Sequence, residues 1–100
     1  MKHISVEEFK EMQKNGEEFF LLDVRTKSEW DGGHIDGSVQ LSVSAVQAGV
    51  EELIPDKDTP VVVYCATGSR SLMAVTFMRM MGYTNLMNLE DGYVEYVAHA

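Results

Sequence analysis

An α/β domain with a parallel sheet covered by helices on both faces is the architecture that this 100-residue sequence predicts, and three features carry the prediction. Helical and strand patterns trade places along the chain, which is the order that builds a sheet with crossover helices. The segments 19–24 and 60–64 are apolar without alternation, as strands buried on both faces are. Short helices are punctuated by capping sequences at their starts and glycine at their ends. Composition agrees: 45% hydrophobic and 24% charged residues describe a folding chain rather than a disordered one, and the length is enough for one domain, expected over 1–100.

The elements follow in order. Ser5-Val6-Glu7-Glu8 is a capping box, opening a helix to about Lys14 with Val6, Phe9 and Met12 at helical spacing and Asn15-Gly16 as its stop. Residues 19–24 make the first strand. Thr26-Lys27-Ser28-Glu29 is a second capping box, for a very short helix ended by Asp31-Gly32-Gly33, and the turn Asp36-Gly37 leads into a short strand at 39–41. Ser44-Ala45-Val46-Gln47 repeats the capping logic and starts a helix to about Leu53. The clearest strand is 60–64, Pro-Val-Val-Val-Tyr, β-branched and uninterrupted. A loop at 65–70 precedes a helix from Ser71 to Met81, stopped by Gly82. This helix is apolar nearly all round, which predicts burial and makes its methionines pliable core filler. A last strand at 84–89 and a last helix at 92–98 complete the chain.

Sixteen acidic against eight basic residues give a net charge of -8, which argues against nucleic acid and anionic membranes as partners. The first fifteen residues carry three glutamates and no apolar core of a secretory signal, so the expected address is cytoplasmic. A single cysteine, Cys65, excludes an internal disulfide, and with three scattered histidines there are too few soft ligands for a closed zinc site; no metal and no cofactor are expected.

Taken alone, a lone cysteine reads as a small core residue. Its position changes that reading. Cys65 ends the central strand, and Ala66-Thr67-Gly68-Ser69-Arg70 leads into a helix at the sheet edge where open α/β folds place ligands. The amides of 66–70 can converge on one point, Gly68 permits a positive-φ turn, and the helix adds partial positive charge. Such a cradle binds an anion and lowers a thiol pKa, with Arg70 as a full charge at its rim. The whole supports a nucleophilic thiolate.

The loop Cys65-Ala66-Thr67-Gly68-Ser69-Arg70, with Leu21-Leu22-Asp23-Val24-Arg25-Thr26, Glu29-Trp30, Gly33-His34-Ile35-Asp36-Gly37-Ser38 and Asn88-Leu89-Glu90-Asp91-Gly92-Tyr93, closely resembles the rhodanese domain. These blocks stand in the family's order over residues 19–96, and the length resembles the single-domain forms rather than the tandem ones. The resemblance implies a five-stranded, largely parallel sheet and a sulfurtransferase in which Cys65 accepts a sulfane sulfur as a persulfide. Ala66, Thr67, Gly68, Ser69 and Arg70 would then bind the donor, a small anion such as thiosulfate or else a persulfide, and cyanide, a thiol or a protein would be the acceptor. Departures from the family pattern are Asp36 for the usual Pro, Asp91 for a Gly in a turn that Asp can enter in left-handed form, Tyr96 for a frequent Trp, and Ala66 where many members carry a base, which leaves Arg70 the loop's only cation.

Loop length weighs against the nearest rival. Four residues separate Cys65 from Arg70, one fewer than in the tyrosine-phosphatase-like loops, and the shorter ring suits a single sulfur atom better than a phosphoryl group. No Asp is obviously placed to protonate a leaving alkoxide. A persulfide carrier and a non-catalytic binding module remain alternatives, the latter weakened by the retained cysteine. Asp23 and Arg25 read as an internal ion pair pinning neighbouring loops, His34 by resemblance as a structural hydrogen-bonder, and His3 and His99 as solvated. The glutamate pairs 7–8, 17–18 and 51–52 should face water.

Overall fold

The computed structural model describes residues 1–99. Five strands, β1 (Lys2–Ile4), β2 (Phe20–Asp23), β3 (Val39–Gln40), β4 (Val61–Tyr64) and β5 (Leu86–Leu89), form one sheet in the order β1-β5-β4-β2-β3. Every pair is parallel, with Leu22 opposite Val63 and Val63 opposite Asn88. The helices are α1 (Val6–Lys14), α2 (Lys27–Asp31), α3 (Val46–Leu53), α4 (Ser69–Met80) and α5 (Gly92–Ala98). None of them is long and apolar enough to cross a membrane.

The unalternating strands are explained by two cores, one on each face. On one side Leu22, Val61, Val63 and Cys65 pack with Val46 and Val50 of α3 and Ala74, Val75 and Met78 of α4. On the other, Leu21, Val62, Tyr64 and Leu89 pack with Val6 and Phe9 of α1, flanked by Tyr93 and Tyr96 of α5. All four residues of β4 are fully buried. Burying each such side chain contributes about 1.5–3 kcal/mol relative to leaving it in water, so β4 anchors both layers.

Both predicted capping boxes form: Ser5 with Glu8, and Thr26 with Glu29. Helix α5 has the expected bounds, and β2, β3, β4 and β5 lie within the expected segments. Four expectations need correction. Strand β1 was not foreseen, because three residues with one buried side chain, Ile4, carry no readable period and pair only with β5 from the far end of the chain. Ser44 does not cap α3. It lies inside a 3-10 turn, Val43–Ala45, and α3 starts after Ala45 with no side-chain cap. Helix α4 begins at Ser69 rather than Ser71. Nor is α4 buried all round, since Leu72, Met73 and Met80 are exposed: a helix laid on a sheet turns one side outward whatever its composition.

In a parallel sheet the carboxyl ends of all strands share one edge. The β2–α2, β4–α4 and β5–α5 junctions therefore gather there, around Cys65.

Candidate active site

Cys65 follows the last residue of β4 and is fully buried, while its loop neighbours Thr67 and Ser69 are exposed. The loop is thus the boundary between the sulfur and solvent. Gly68 stands at the cap position of α4 with φ +102, and no side chain caps this helix. The cysteine sulfur takes that part: the Gly68 N–H donates to Sγ at 3.1 Å. A helix start has free N–H groups seeking an acceptor, and a thiolate there gains from them and from the helix dipole.

Burial by itself pushes the Cys65 thiol up. The Ser71 hydroxyl and the backbone N–H groups of Ser71, Gly68 and Thr67 together outweigh it, and the thiol lies below its ordinary value. Ser71 is fully buried, with Oγ 3.5 Å from Sγ, and its hydroxyl donates to the Gly68 carbonyl at 3.1 Å. In the thiol form the S–H donates to Ser71. On ionisation the same hydroxyl can turn to donate to the sulfur.

The amides face inward because the carbonyls are held outward. The backbone N–H groups of Tyr93 and Val94, at the start of α5, donate to the carbonyls of Cys65 (2.8 Å) and Ala66 (3.1 Å). This contact requires glycine at two places. A Cβ on Gly92, φ +70, would sit 2.5 Å from the Ala66 oxygen, and one on Gly68 would collide with the Glu90 carbonyl. Asp91 is right-handed, φ -97, so it carries none of the left-handed cost that its place in the turn suggested; Gly92 takes the positive φ instead.

Arg70 is not a free charge. Its Nη1 and Nη2 donate to the two oxygens of Glu29 at 2.7 and 3.0 Å. The guanidinium holds the Glu29 carboxyl down to about 2, helped by the Thr26 N–H, and the carboxylate holds the guanidinium above its ordinary value. Glu29 and Ser71 are the two site residues that sequence reasoning passed over, treating one as a helix cap and the other as a helix start. The available signals were an acid in the first turn of the helix that follows β2, and a hydroxyl one helical turn past the loop glycine.

The remaining named residues form the wall. Asp23 and Arg25 make a buried ion pair at 2.7 Å, and Arg25 also donates to the Gly33 carbonyl at 2.8 Å and lies over the Tyr93 ring at 4.4 Å. Removing one partner of such a buried pair costs about 3–5 kcal/mol. His34 stacks on Trp30, ring centroids 3.7 Å apart, with Nδ1 2.8 Å from the Trp30 carbonyl. The Tyr64 hydroxyl accepts from the Ile35 N–H and donates to Ser38, which ties the 33–38 turn to β4. Burial pushes that phenol up to about 12, so it stays a neutral strut. His99 is solvated as expected but bridges Glu7 and Glu95, and His3 meets Asn88 at the sheet edge.

The chain is similar to known proteins over nearly its whole length. The model of the rhodanese-like domain matches residues 5–99. A sulfurtransferase of Allochromatium vinosum is 29% identical over 99 residues, covering 99% of this chain and 91% of that protein. A putative sulfur carrier protein of Bacillus subtilis, YrkF, is 32% identical over 89 residues, 89% of this chain, which spans about half (47%) of YrkF. Among solved structures, the human single-domain sulfurtransferase TSTD1 superimposes with a TM-score of 0.86 at 26% identity, covering 100% of this chain and 98% of that one. The match runs from the cap of α1 to beyond the end of α5 and leaves only β1 before it, and the chain belongs to the rhodanese-like sulfurtransferase family.

Proposed function

We propose that this protein transfers a sulfane sulfur through a persulfide on Cys65, taking it from thiosulfate or a persulfide donor and passing it to a thiol or cyanide. One observation carries the reading: the only cysteine caps a twelve-residue helix through the Gly68 N–H at 3.1 Å, with its thiol held below its ordinary value. The thiolate attacks the outer sulfur of the donor. An S–S bond forms on Cys65, the donor's own bond to that sulfur breaks, and sulfite or a thiolate leaves with the electron pair. The acceptor then attacks the terminal sulfur and the Cys65 thiolate is released. The attacking thiolate and the leaving group are both anionic, so no proton shuttle is needed, and the amides of Thr67, Gly68 and Ser71 hold the charge at Sγ before attack and after release. Ala66, Thr67, Gly68, Ser69 and Arg70 form the donor-facing loop.

Intact mass after donor treatment should show a gain of one sulfur on the wild type, lost on adding dithiothreitol and absent from Cys65→Ala. A wild type that gains none, together with a Cys65→Ala variant that matches it in a cyanide assay, would end this reading. The likeness to a protein named as a sulfur carrier supports a second reading, in which the same persulfide is handed to a protein thiol. Faster discharge by a partner protein than by cyanide would favour it.

A further inference from the structure

Arg70 is the only cation in the 65–70 loop, and its charge is already answered. Both terminal nitrogens donate to Glu29. That carboxylate is fixed from its other side by the cap of α2, where Oε1 accepts from the Thr26 backbone N–H at 3.1 Å and the Thr26 hydroxyl at 3.2 Å. Four donors on two oxygens leave Glu29 little freedom to swing away. An anion seeking Arg70 therefore has to displace a tethered carboxylate or bind beside it. On the loop's other flank the Glu90 carbonyl abuts Gly68, and Glu90 and Asp91 are exposed acids. Ala66 adds no compensating charge.

We propose that Glu29 sets the donor selectivity of the site: by neutralising Arg70 it turns the loop against dianionic donors and toward persulfides carrying at most one charge. The proposal rests on the sulfurtransferase reading and narrows its donor. With a persulfide, the Cys65 thiolate bonds to the outer sulfur, the donor S–S bond breaks, and the thiolate of the donor leaves with the electron pair. With thiosulfate the same attack expels sulfite, so two negative charges have to enter and leave past Glu29. Nothing else differs between the two balances.

Glu29→Gln separates charge from architecture, because glutamine serves equally at this position of a capping box and α2 keeps its start. Asp31→Asn removes the same charge from the same helix without touching Arg70, since Asp31 pairs with Lys27. The rate of sulfur gain on Cys65 is read by quenched intact mass with thiosulfate and with the persulfide of 2-mercaptoethanol. We expect Glu29→Gln to raise the thiosulfate rate relative to the persulfide rate roughly tenfold, and Asp31→Asn to leave that ratio unchanged. A ratio of thiosulfate to persulfide rate that is unchanged or lower in Glu29→Gln overturns the proposal, as does an equal gain in Asp31→Asn, and in both cases persulfide loading of the wild type keeps the sulfurtransferase reading standing. If no protein gains sulfur from either donor, the sulfurtransferase reading itself falls and takes the selectivity with it.

Discussion

Ser71 occupies the place where a small change should be most visible. Its hydroxyl lies 3.5 Å from the Cys65 sulfur in a fully buried setting, and it is the first of the contacts that bring the thiol below its ordinary value. A hydrogen bond to a charged group is worth about 1.5–3 kcal/mol when fully formed. Ser71→Ala should therefore move the pH profile of Cys65 alkylation upward. The sign follows from which form is favoured: losing a donor weakens the hold on the thiolate against burial, and burial favours the neutral thiol. At neutral pH the variant alkylates and persulfidates more slowly, and Ser71→Thr restores the profile. An unshifted profile in Ser71→Ala would show that the amides alone hold the charge.

Among the elements, α5 acts as a lock on the loop rather than a peripheral cover. Its first two donors hold the Cys65 and Ala66 carbonyls, and Gly92 brings it that close. Gly92→Ala adds a Cβ in a left-handed conformation against the Ala66 and Cys65 carbonyl oxygens, so it should lower the unfolding free energy by about 1–3 kcal/mol. Urea denaturation measures that loss, and thiol titration should show the loop relaxed. An unchanged midpoint would mean that α5 and the loop move independently. Helix α2 plays the matching part on the other flank, since its capping carboxylate is also the partner of Arg70.

At the scale of the whole molecule, the net charge of -8 surrounds a loop whose one cation is paired. A small anionic donor approaches against this background, and screening weakens it over about 10 Å at 0.1 M salt. Loading of Cys65 by thiosulfate should therefore quicken between low and moderate salt, and more so than loading by a persulfide of lower charge. Stopped-flow rates over that range decide it, and a steep fall of the thiosulfate rate with salt would point to attraction by a basic patch.

Much of this was legible in the chain. Capping boxes are local, so Ser5–Glu8 and Thr26–Glu29 could be read directly, and Val61–Tyr64 has the apolar run of a strand covered on both faces. The cysteine, the loop glycine and the helix after them are contiguous, which is why the cradle could be inferred from residues 65–71 alone. What could not be read depends on partners distant in sequence. Strand β1 exists only because β5, more than eighty residues away, accepts its edge. The pairing of Arg70 with Glu29 spans 41 positions, and only the adjacency of β2 and β4 brings α2 to the loop. The exposed side of α4 is set by which stripe meets the sheet, a choice that a nearly uniform apolar sequence does not encode. Residues 65–71 were enough to place a thiol in a nest of amides at a helix start, because that arrangement follows from short-range backbone chemistry. How much charge that nest presents is settled only in the folded molecule, because electrostatics depends on distance in space and the neutralising carboxylate comes from α2, on the neighbouring strand's connection.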